Sequence, residues 1–256
     1  MIVFLHIPKT AGSTFQFILE NSFGINACHT NHSKKEIFRQ EDFAFAQKFF
    51  PRMKSLAGHN LADPMSLNLP NPFHMVFLRE PVARVFSHYQ DAFLRGRNSL
   101  NFEEDLRQNE MLKNLHVKLM AGEPNLDKAK RYLERCNFVG LTEKFELSLH
   151  VLEKLSPYRL NLNYKRRRVA SADHIRKSIA SDPRMVELAR EQNQLDIALY
   201  DFAIKEIFPK FCEKAGFTPD AKVASFDHYT SELHPSYLIC HFYNHMFYRQ
   251  ACKLRR

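Results

Sequence analysis

The chain has no apolar run close to the roughly 20 residues that a membrane-spanning helix needs, which argues against an integral membrane protein. Its five cysteines are an odd number, are scattered along the sequence, and form no C-x-x-C pair. This pattern favours reduced thiols in a reducing compartment, while leaving one or two disulfide bridges open. The sequence begins with neither a charged leader segment nor a cleavage site, so we expect a cytoplasmic protein.

Complete metal-binding patterns are also missing. Cys28, His29 and His32 lie close together, but no fourth ligand stands at a recognised spacing. His241 and His245 are one helical turn apart, without a third ligand or an H-E-x-x-H sequence. We therefore expect no metal requirement. The first group is interpreted as part of a loop over residues 21–33, and the second pair as core or interface packing.

What the sequence has in excess is positive charge. Lysine and arginine outnumber aspartate and glutamate by 37 − 28 = 9. A basic surface suits an anionic ligand such as nucleotide phosphates, an acidic glycan or nucleic acid. Apolar residues make up 45% of the 256 residues, which is ordinary for a folded protein and argues against disorder. We predict one domain, with a nucleotide-binding core over 1–208 and a helical extension over 209–256.

The first sixteen residues combine a short apolar strand, a tight turn and a helix. Ile2 to Leu5 form a run typical of a strand buried on both faces, and helical spacing begins after Gly12. A strand, small-residue loop and helix N-terminus together form a site that binds phosphate through backbone amides and the helix dipole. Lys9 adds a full charge, and Thr10, Ser13 and Thr14 add hydroxyl donors. The order differs from the nucleotide P-loop, in which lysine directly follows the second glycine.

A second strand and helix carry an arginine and a serine at a comparable junction. Residues 74–78 read as a buried strand, and Pro81 stands where the first turn of a helix is expected. Arg79 ends the strand and Ser87 lies two turns into the helix. A planar guanidinium and a hydroxyl are suited to hold a dianionic phosphate. Arg84 is interpreted as a structural or supporting residue.

A Gly58-His59 pair follows a third predicted strand, over residues 55–58. Ligands of open α/β sheets collect beyond the carboxyl ends of the strands, so His59 is well placed for chemistry. A capping or core histidine is the alternative interpretation.

The run Pro-Lys-Thr-Ala-Gly-Ser-Thr at 8–14 resembles the 5′-phosphosulfate loop of sulfotransferases that use 3′-phosphoadenosine 5′-phosphosulfate (PAPS). The run Leu-Arg-Glu-Pro-Val-Ala-Arg-Val-Phe-Ser-His-Tyr at 78–89 resembles their 3′-phosphate motif. The nearest resemblance is to the glycan-modifying branch that includes heparan sulfate 2-O-sulfotransferase. It implies an α/β, P-loop-like three-layer fold with a central parallel sheet flanked by helices. A trimmed luminal domain of the Golgi becomes the alternative to a cytoplasmic enzyme.

The resemblance also implies roles for individual residues. His59 would be the general base, and Lys9 would stabilise the leaving phosphate. The implied donor-binding residues are Lys9, Thr10, Ala11, Gly12, Ser13, Thr14, Arg79 and Ser87. An Asn-containing basic loop implies that Lys165, Arg166 and Arg167 close over the nucleotide or bind an anionic acceptor, with solvated charges as the alternative. Asn109, Asn114 and Lys118 are candidates for an acceptor cleft.

The predicted reaction is transfer of a sulfuryl group from PAPS to an acceptor hydroxyl on a carbohydrate, and the basic surface favours an acidic one. We expect no metal, no nucleic-acid partner, and a homo-oligomer contact through an aromatic helix over 237–252. A P-loop-like kinase or NTPase and a non-catalytic binder of anionic glycan or nucleic acid are the alternatives. The periodicity further predicts helices over 34–50, 102–121, 126–135 and about 183–208.

Overall fold

The computed structural model describes residues 1–33, 37–97, 101–164, 174–226 and 235–255. Its strands are β1 (Ile2–Leu5), β2 (Ala27–His29), β3 (Ser55–Gly58), β4 (Phe73–Leu78) and β5 (Phe138–Leu141). All neighbouring strands run parallel, in the spatial order β2-β3-β1-β4-β5. Every strand residue is buried, as is typical of a parallel sheet that is covered on both faces.

Helices occupy most of the remaining described chain and flank this sheet, which confirms the predicted α/β class. Their bounds are α1 (Gly12–Phe23), α2 (Gln40–Phe49), α3 (Pro81–Leu94), α4 (Phe102–Gln108), α5 (Leu115–Ala121), α6 (Leu126–Arg135), α7 (Phe145–Leu155), α8 (His174–Ala180), α9 (Pro183–Glu191), α10 (Gln194–Phe202), α11 (Phe208–Lys214), α12 (Pro235–Tyr243) and α13 (Arg249–Leu254). Within the described ranges, no helix combines the length and apolar character that crossing a membrane requires.

Aromatic side chains join the central strands to the first helix. The ring of Phe15 on α1 lies 4.9 Å from that of Phe4 on β1 and 5.2 Å from that of Phe77 on β4. All three side chains are fully buried, and truncating such a side chain generally costs about 3–5 kcal/mol of stability. This packing fixes the start of α1 against the carboxyl edge of the sheet.

The strand order brings three chain segments together at that edge. The chain leaves β1 toward β2 on one side of the sheet and leaves β4 toward β5 on the other, a reversal at which α/β proteins bind ligands. Leu5 pairs with Gly58 in the register of β1 and β3. His6 and His59, which follow these residues, are therefore neighbours, and the turn after β4 begins beside them at Arg79.

Several predicted boundaries are wrong for physical reasons. The expected loop over 21–33 contains β2, a strand of only three residues at the edge of the sheet. The helix expected over 34–50 begins only at Gln40, because Phe38 is buried and its N–H donates to the carbonyl of Asn60. Asn114 adopts a left-handed φ of 44° and separates α4 from α5, where one helix was predicted.

Asparagine also interrupts the helix that was predicted over 183–208. Asn193 is fully buried, and its side-chain amide donates to the carbonyls of Leu112 and Ala189. The chain therefore forms α9 and α10 as separate helices. Helix α6 and the strands predicted over 2–5 and 55–58 have the bounds that the sequence predicts.

The C-terminal helices pack on the same core as the sheet. Tyr237, Cys240 and Tyr248 are buried with residues of β1 and α1 in one apolar cluster. Leu238, Ile239, Phe242, Met246 and Phe247 on the same segment are exposed. The expected contact with a second copy of the chain and the division of the chain at residue 208 both stay predictions. All five cysteines are buried.

Candidate active site

The turn between β1 and α1 is held by an unusual backbone. Lys9 and Ala11 have positive φ angles of 71° and 61°, a region that non-glycine residues seldom occupy and that is often found at functional sites. The buried Thr10 hydroxyl donates to the carbonyl of Ile7 at 2.9 Å and ties the turn to the end of β1. The Thr10 hydroxyl is therefore engaged within the turn, which leaves its backbone amide as the group available to a ligand.

Gly12 begins α1 under the ring of His6. A Cβ atom at position 12 would lie 1.9 Å from His6 Cδ2, so no other residue fits there without displacing the imidazole. The first amides of an α-helix have no partners within the helix, and they carry the positive end of its dipole. Gly12 thus allows the His6 ring to pack directly against the N-terminus of α1.

A cavity of about 280 Å³ opens at this helix start, and we call it the Lys9 cavity. It is lined by His6, Pro8, Lys9, Ala11, Gly12, Ser13, Thr14, His59, Ser87, His88, Asp91, Arg95 and Arg97. The cavity therefore brings together predicted site residues from all three strand ends. Arg79 is not among its lining residues, but its Nη1 donates to the Lys9 carbonyl at 3.1 Å, so both predicted phosphate motifs meet at one turn.

Charged groups in the Lys9 cavity are mainly cationic. Lysine 9 forms an ion pair with Asp91 at 3.4 Å, and Asp91 also contacts Arg95 at 3.1 Å. Burial lowers the pKa of the Lys9 ammonium, as do the nearby Arg79 and Arg95, whereas Asp91 acts to raise it. Three cations and one carboxylate among the lining residues give a net positive site that suits an anionic ligand.

Sequence reasoning missed His88, Asp91, Arg95 and Arg97 as site residues. Burial, with nearby Arg84 and Lys9, lowers the pKa of His88 to about 4, so this imidazole is neutral at physiological pH. A usable signal was present, because Ser87 and Asp91 on α3 and the C-cap residue Arg95 are spaced by four residues, which aligns them along one side of the helix and its end.

The orientation of His59 defines which of its nitrogens is basic. Its Nδ1 lies 2.5 Å from the carbonyl oxygen of His6, and its backbone N–H donates to Asn31 Oδ1 at 2.9 Å. A carbonyl only accepts hydrogen bonds, so Nδ1 carries the proton and Nε2 is the acceptor of the neutral ring. Gly58 permits this turn, because a Cβ at position 58 would lie 1.8 Å from Thr30 Oγ1.

Two further cavities adjoin the first. The histidine cavity, of about 310 Å³, shares His6, Ser13 and His59 with the Lys9 cavity. The Tyr164 cavity, of about 580 Å³, shares Ala11 and Thr14 with it. Its other lining residues are Thr142, Glu143, Lys144, Phe145, Glu146, Leu147, Tyr164, Pro219, Asp220, Ala221 and Val223. The start of α1 is therefore the meeting point of three cavities.

Comparison with known proteins identifies the part of the chain that carries this geometry. Residues 1–138 match the model of the sulfotransferase family. The matched stretch is more than half of the chain and contains both phosphate motifs and His59. The chain belongs to the sulfotransferase family. It is thus a transferase by family, and family membership supports sulfuryl transfer as the general reaction.

The match is to the sulfotransferase family as a whole, so the resemblance to its glycan-modifying branch stays a prediction. A crystal structure of a sulfotransferase from Alicyclobacillus acidocaldarius aligns with a TM-score of 0.43 at 15% identity, covering 74% of this chain and 94% of that chain. No curated protein matches the sequence significantly.

Other sulfotransferase candidates from the sequence have structural partners. Asn114 Oδ1 accepts from the amides of Leu195 and Asp196, Asn109 caps a helical turn, and Lys118 pairs with Glu110. Arg84 is fully buried on α3, and its guanidinium has no hydrogen-bond partner among the described residues. The contacts of Asn114, Asn109 and Lys118 favour structural roles for these three residues, whereas the role of Arg84 stays a prediction. Lys165, Arg166 and Arg167 lie outside the described residues.

Three of the histidines named above as possible metal ligands contact other side chains. His29 Nε2 on β2 lies 2.5 Å from Glu20 Oε1. His241 and His245 stack with ring centroids 4.3 Å apart. Across the described ranges, no group of three or more potential ligands is arranged to hold a metal ion.

Proposed function

We propose that this sulfotransferase moves a sulfuryl group from PAPS to an acceptor hydroxyl, with His59 as the general base and Lys9 stabilising the leaving phosphate. The main support is the convergence of Lys9, the N-terminus of α1, Ser87 and His59 on one cavity. The bond from Arg79 to the Lys9 carbonyl links the second phosphate motif to the first.

The residues present fit a donor that carries two phosphate groups. The glycine at position 12 keeps side-chain atoms away from the first amides of α1, which are ordinary donors to phosphate oxygens. Arg79 and Ser87 supply a guanidinium and a hydroxyl for a second phosphate. The adenosine part would occupy the Tyr164 cavity, because it shares Ala11 and Thr14 with the phosphate site.

The proposed transfer is a single in-line displacement. His59 Nε2 accepts the proton of the acceptor hydroxyl as its oxygen forms a bond to sulfur. The bond between sulfur and the bridging oxygen breaks, and its electron pair stays on the 5′-phosphate. Lys9 and the amides of α1 stabilise the charge that builds on that oxygen. PAPS supplies the activated sulfuryl group. The protein positions both reactants, accepts the hydroxyl proton and stabilises the negative charge on the leaving phosphate.

The acceptor class that we propose is a carbohydrate hydroxyl. The resemblance to the glycan-modifying branch supports it, as does a polar cavity directly beside His59. A kinase or NTPase would instead require ATP and magnesium, and a non-catalytic binder would transfer nothing to any acceptor.

Incubation with ³⁵S-labelled PAPS and a panel of sugars and small alcohols tests the reaction. The wild-type protein should transfer label and bind 3′-phosphoadenosine 5′-phosphate (PAP). Lys9→Ala should lower kcat by about 10²–10³-fold, because it removes a preorganised charge at the leaving oxygen. The matched control is Lys210→Ala at an exposed position of α11, which should retain full activity. Stabilisation by ATP and magnesium but not by PAP, or equal activity of both variants, would contradict the proposal.

A further inference from the structure

The histidine cavity adjoins the Lys9 cavity at His59, which lines both. Its polar walls include Gln16, Glu20, His29, His59, His241 and His245. Only His6, Ser13 and His59 belong to both cavities. A molecule held here would therefore contact the proposed base, His59, while the donor occupies the adjoining Lys9 cavity, which brings both reactants together.

The charge of this second cavity differs from that of the first. No lysine or arginine is found among its described lining residues, and its one carboxylate, Glu20, is paired with His29. Burial lowers the pKa of His245, with nearby His241 and Arg249 acting in the same direction, so its ring is neutral at physiological pH. An acidic ligand would thus meet the Glu20 carboxylate and no lysine or arginine of the described lining, and desolvating the ligand's charge would be costly.

The same walls are rich in neutral hydrogen-bonding groups. Gln16 and Glu20 stand one turn apart on α1 beside His29, and Gln16 Nε2 lies 3.3 Å from Glu20 Oε1. The opposite wall carries His241 and His245 from the C-terminal helical segment. Amides and neutral imidazoles both donate to and accept from hydroxyl groups, and a carboxylate accepts from them. The volume of about 310 Å³ is at the small end of the range of roughly 300–1,000 Å³ for ligand pockets, which suits one ring-sized molecule.

We infer that the histidine cavity is the acceptor subsite and that it takes a neutral, hydroxyl-rich molecule or terminal unit about the size of one sugar ring. This inference rests on the proposed sulfuryl transfer and names its acceptor class. The excess positive charge of the chain then serves the donor, and the acceptor is recognised by neutral hydrogen bonds. The C-terminal segment becomes part of the active site, since Tyr237, Cys240, His241, Asn244 and His245 all line this cavity.

Acceptor kinetics with two cavity variants test the inference. Gln16→Leu and His245→Leu remove one polar group from each wall without touching the Lys9 cavity. Each should raise the acceptor KM by about tenfold, the usual effect of one lost hydrogen bond of roughly 1.4 kcal/mol, while PAP affinity stays within twofold of wild type. The matched control, Gln108→Leu, removes an exposed glutamine on α4 and should change neither constant.

The acceptor panel pairs neutral sugars and cyclic polyols with uronic acids of the same ring size. Higher kcat/KM for the neutral member of each pair, together with the rise in KM, supports the inference. Faster transfer to the uronic acids, or unchanged acceptor KM in both cavity variants, would overturn it while leaving the sulfotransferase assignment intact. Wild-type protein that neither binds PAP nor transfers label to any acceptor would instead overturn the proposed function, and this inference with it.

Discussion

The two cavities that meet at His59 have different charges although they share a wall. The Lys9 cavity contains Lys9, Arg95 and Arg97 against one carboxylate, whereas the described lining of the histidine cavity has no lysine or arginine. The difference fits the roles proposed for the two cavities, because phosphates are bound by cations and a neutral hydroxyl does not require them. A net charge of +9 for the whole chain therefore describes the donor side and says little about the acceptor.

The comparison also separates two parts of the chain. The Lys9 cavity is built from residues 6–97, all within the stretch that matches the sulfotransferase family. The histidine cavity is completed by residues 237–245, which lie outside that stretch. Donor chemistry thus resides in the family-wide portion, and we expect the C-terminal segment to adapt the enzyme to its own acceptor.

Replacing His59, which lines both cavities, is expected to have the largest effect on turnover. His59→Asn places an amide donor near the position of Nδ1, so the bond to the His6 carbonyl can persist while Nε2 is lost. Turnover should fall by about 10²–10⁴-fold, the usual contribution of a general base, with PAP affinity nearly unchanged. Single-turnover transfer of labelled sulfate and calorimetric PAP titration measure the two quantities.

A control histidine outside the three cavities keeps that test specific. His150→Asn on α7 removes a half-exposed imidazole that contacts the carbonyl of Ala224, and it should leave turnover unchanged. Loss of PAP affinity in parallel with turnover in His59→Asn would show that His59 supports the donor site instead of acting as the base between two cavities.

Much of the donor side could be predicted from the sequence because its parts are local. The strands at 2–5, 55–58 and 74–78 are short apolar runs, and the residues that follow them are necessarily neighbours in a parallel sheet. The histidine cavity could not be predicted in this way. Gln16 and Glu20 look like polar positions of an amphipathic helix, and His29 lies on a strand of three residues that composition does not reveal. Their approach to His245 depends on how the C-terminal helices pack.

Replacing Arg79, which should weaken binding of the donor, is expected to have the next largest effect. Arg79→Ala removes both a charge and the hydrogen bond to the Lys9 carbonyl, so the donor site loses a ligand and a support of its turn. PAP affinity should fall about 10–100-fold, in keeping with the loss of a charge-assisted hydrogen bond. The acceptor KM should stay unchanged, since Arg79 does not line the histidine cavity.

Arg79→Lys is the informative companion to that variant. It retains the charge but not the planar guanidinium, so its PAP affinity should lie between those of wild type and Arg79→Ala. Equal rises in PAP dissociation constant and acceptor KM in Arg79→Ala would mean that the two cavities are not independent.

The smallest expected effect comes from Asp91, the carboxylate that pairs with Lys9. Burial opposes ionisation of Asp91, but Lys9 and Arg95 prevail and lower its pKa, so it is charged near neutral pH and competes with the donor for Lys9. Asp91→Asn should tighten PAP binding several-fold at pH 7. Because Asp91 raises the pKa of Lys9, the substitution should also move the alkaline loss of PAP affinity to lower pH. Calorimetric titrations of PAP between pH 7 and 10 measure both changes, with the exposed Asp127→Asn as control. Weaker PAP binding of Asp91→Asn at pH 7 would contradict this prediction. It would show that Asp91 mainly positions Lys9 for the donor and does not mainly compete with the donor.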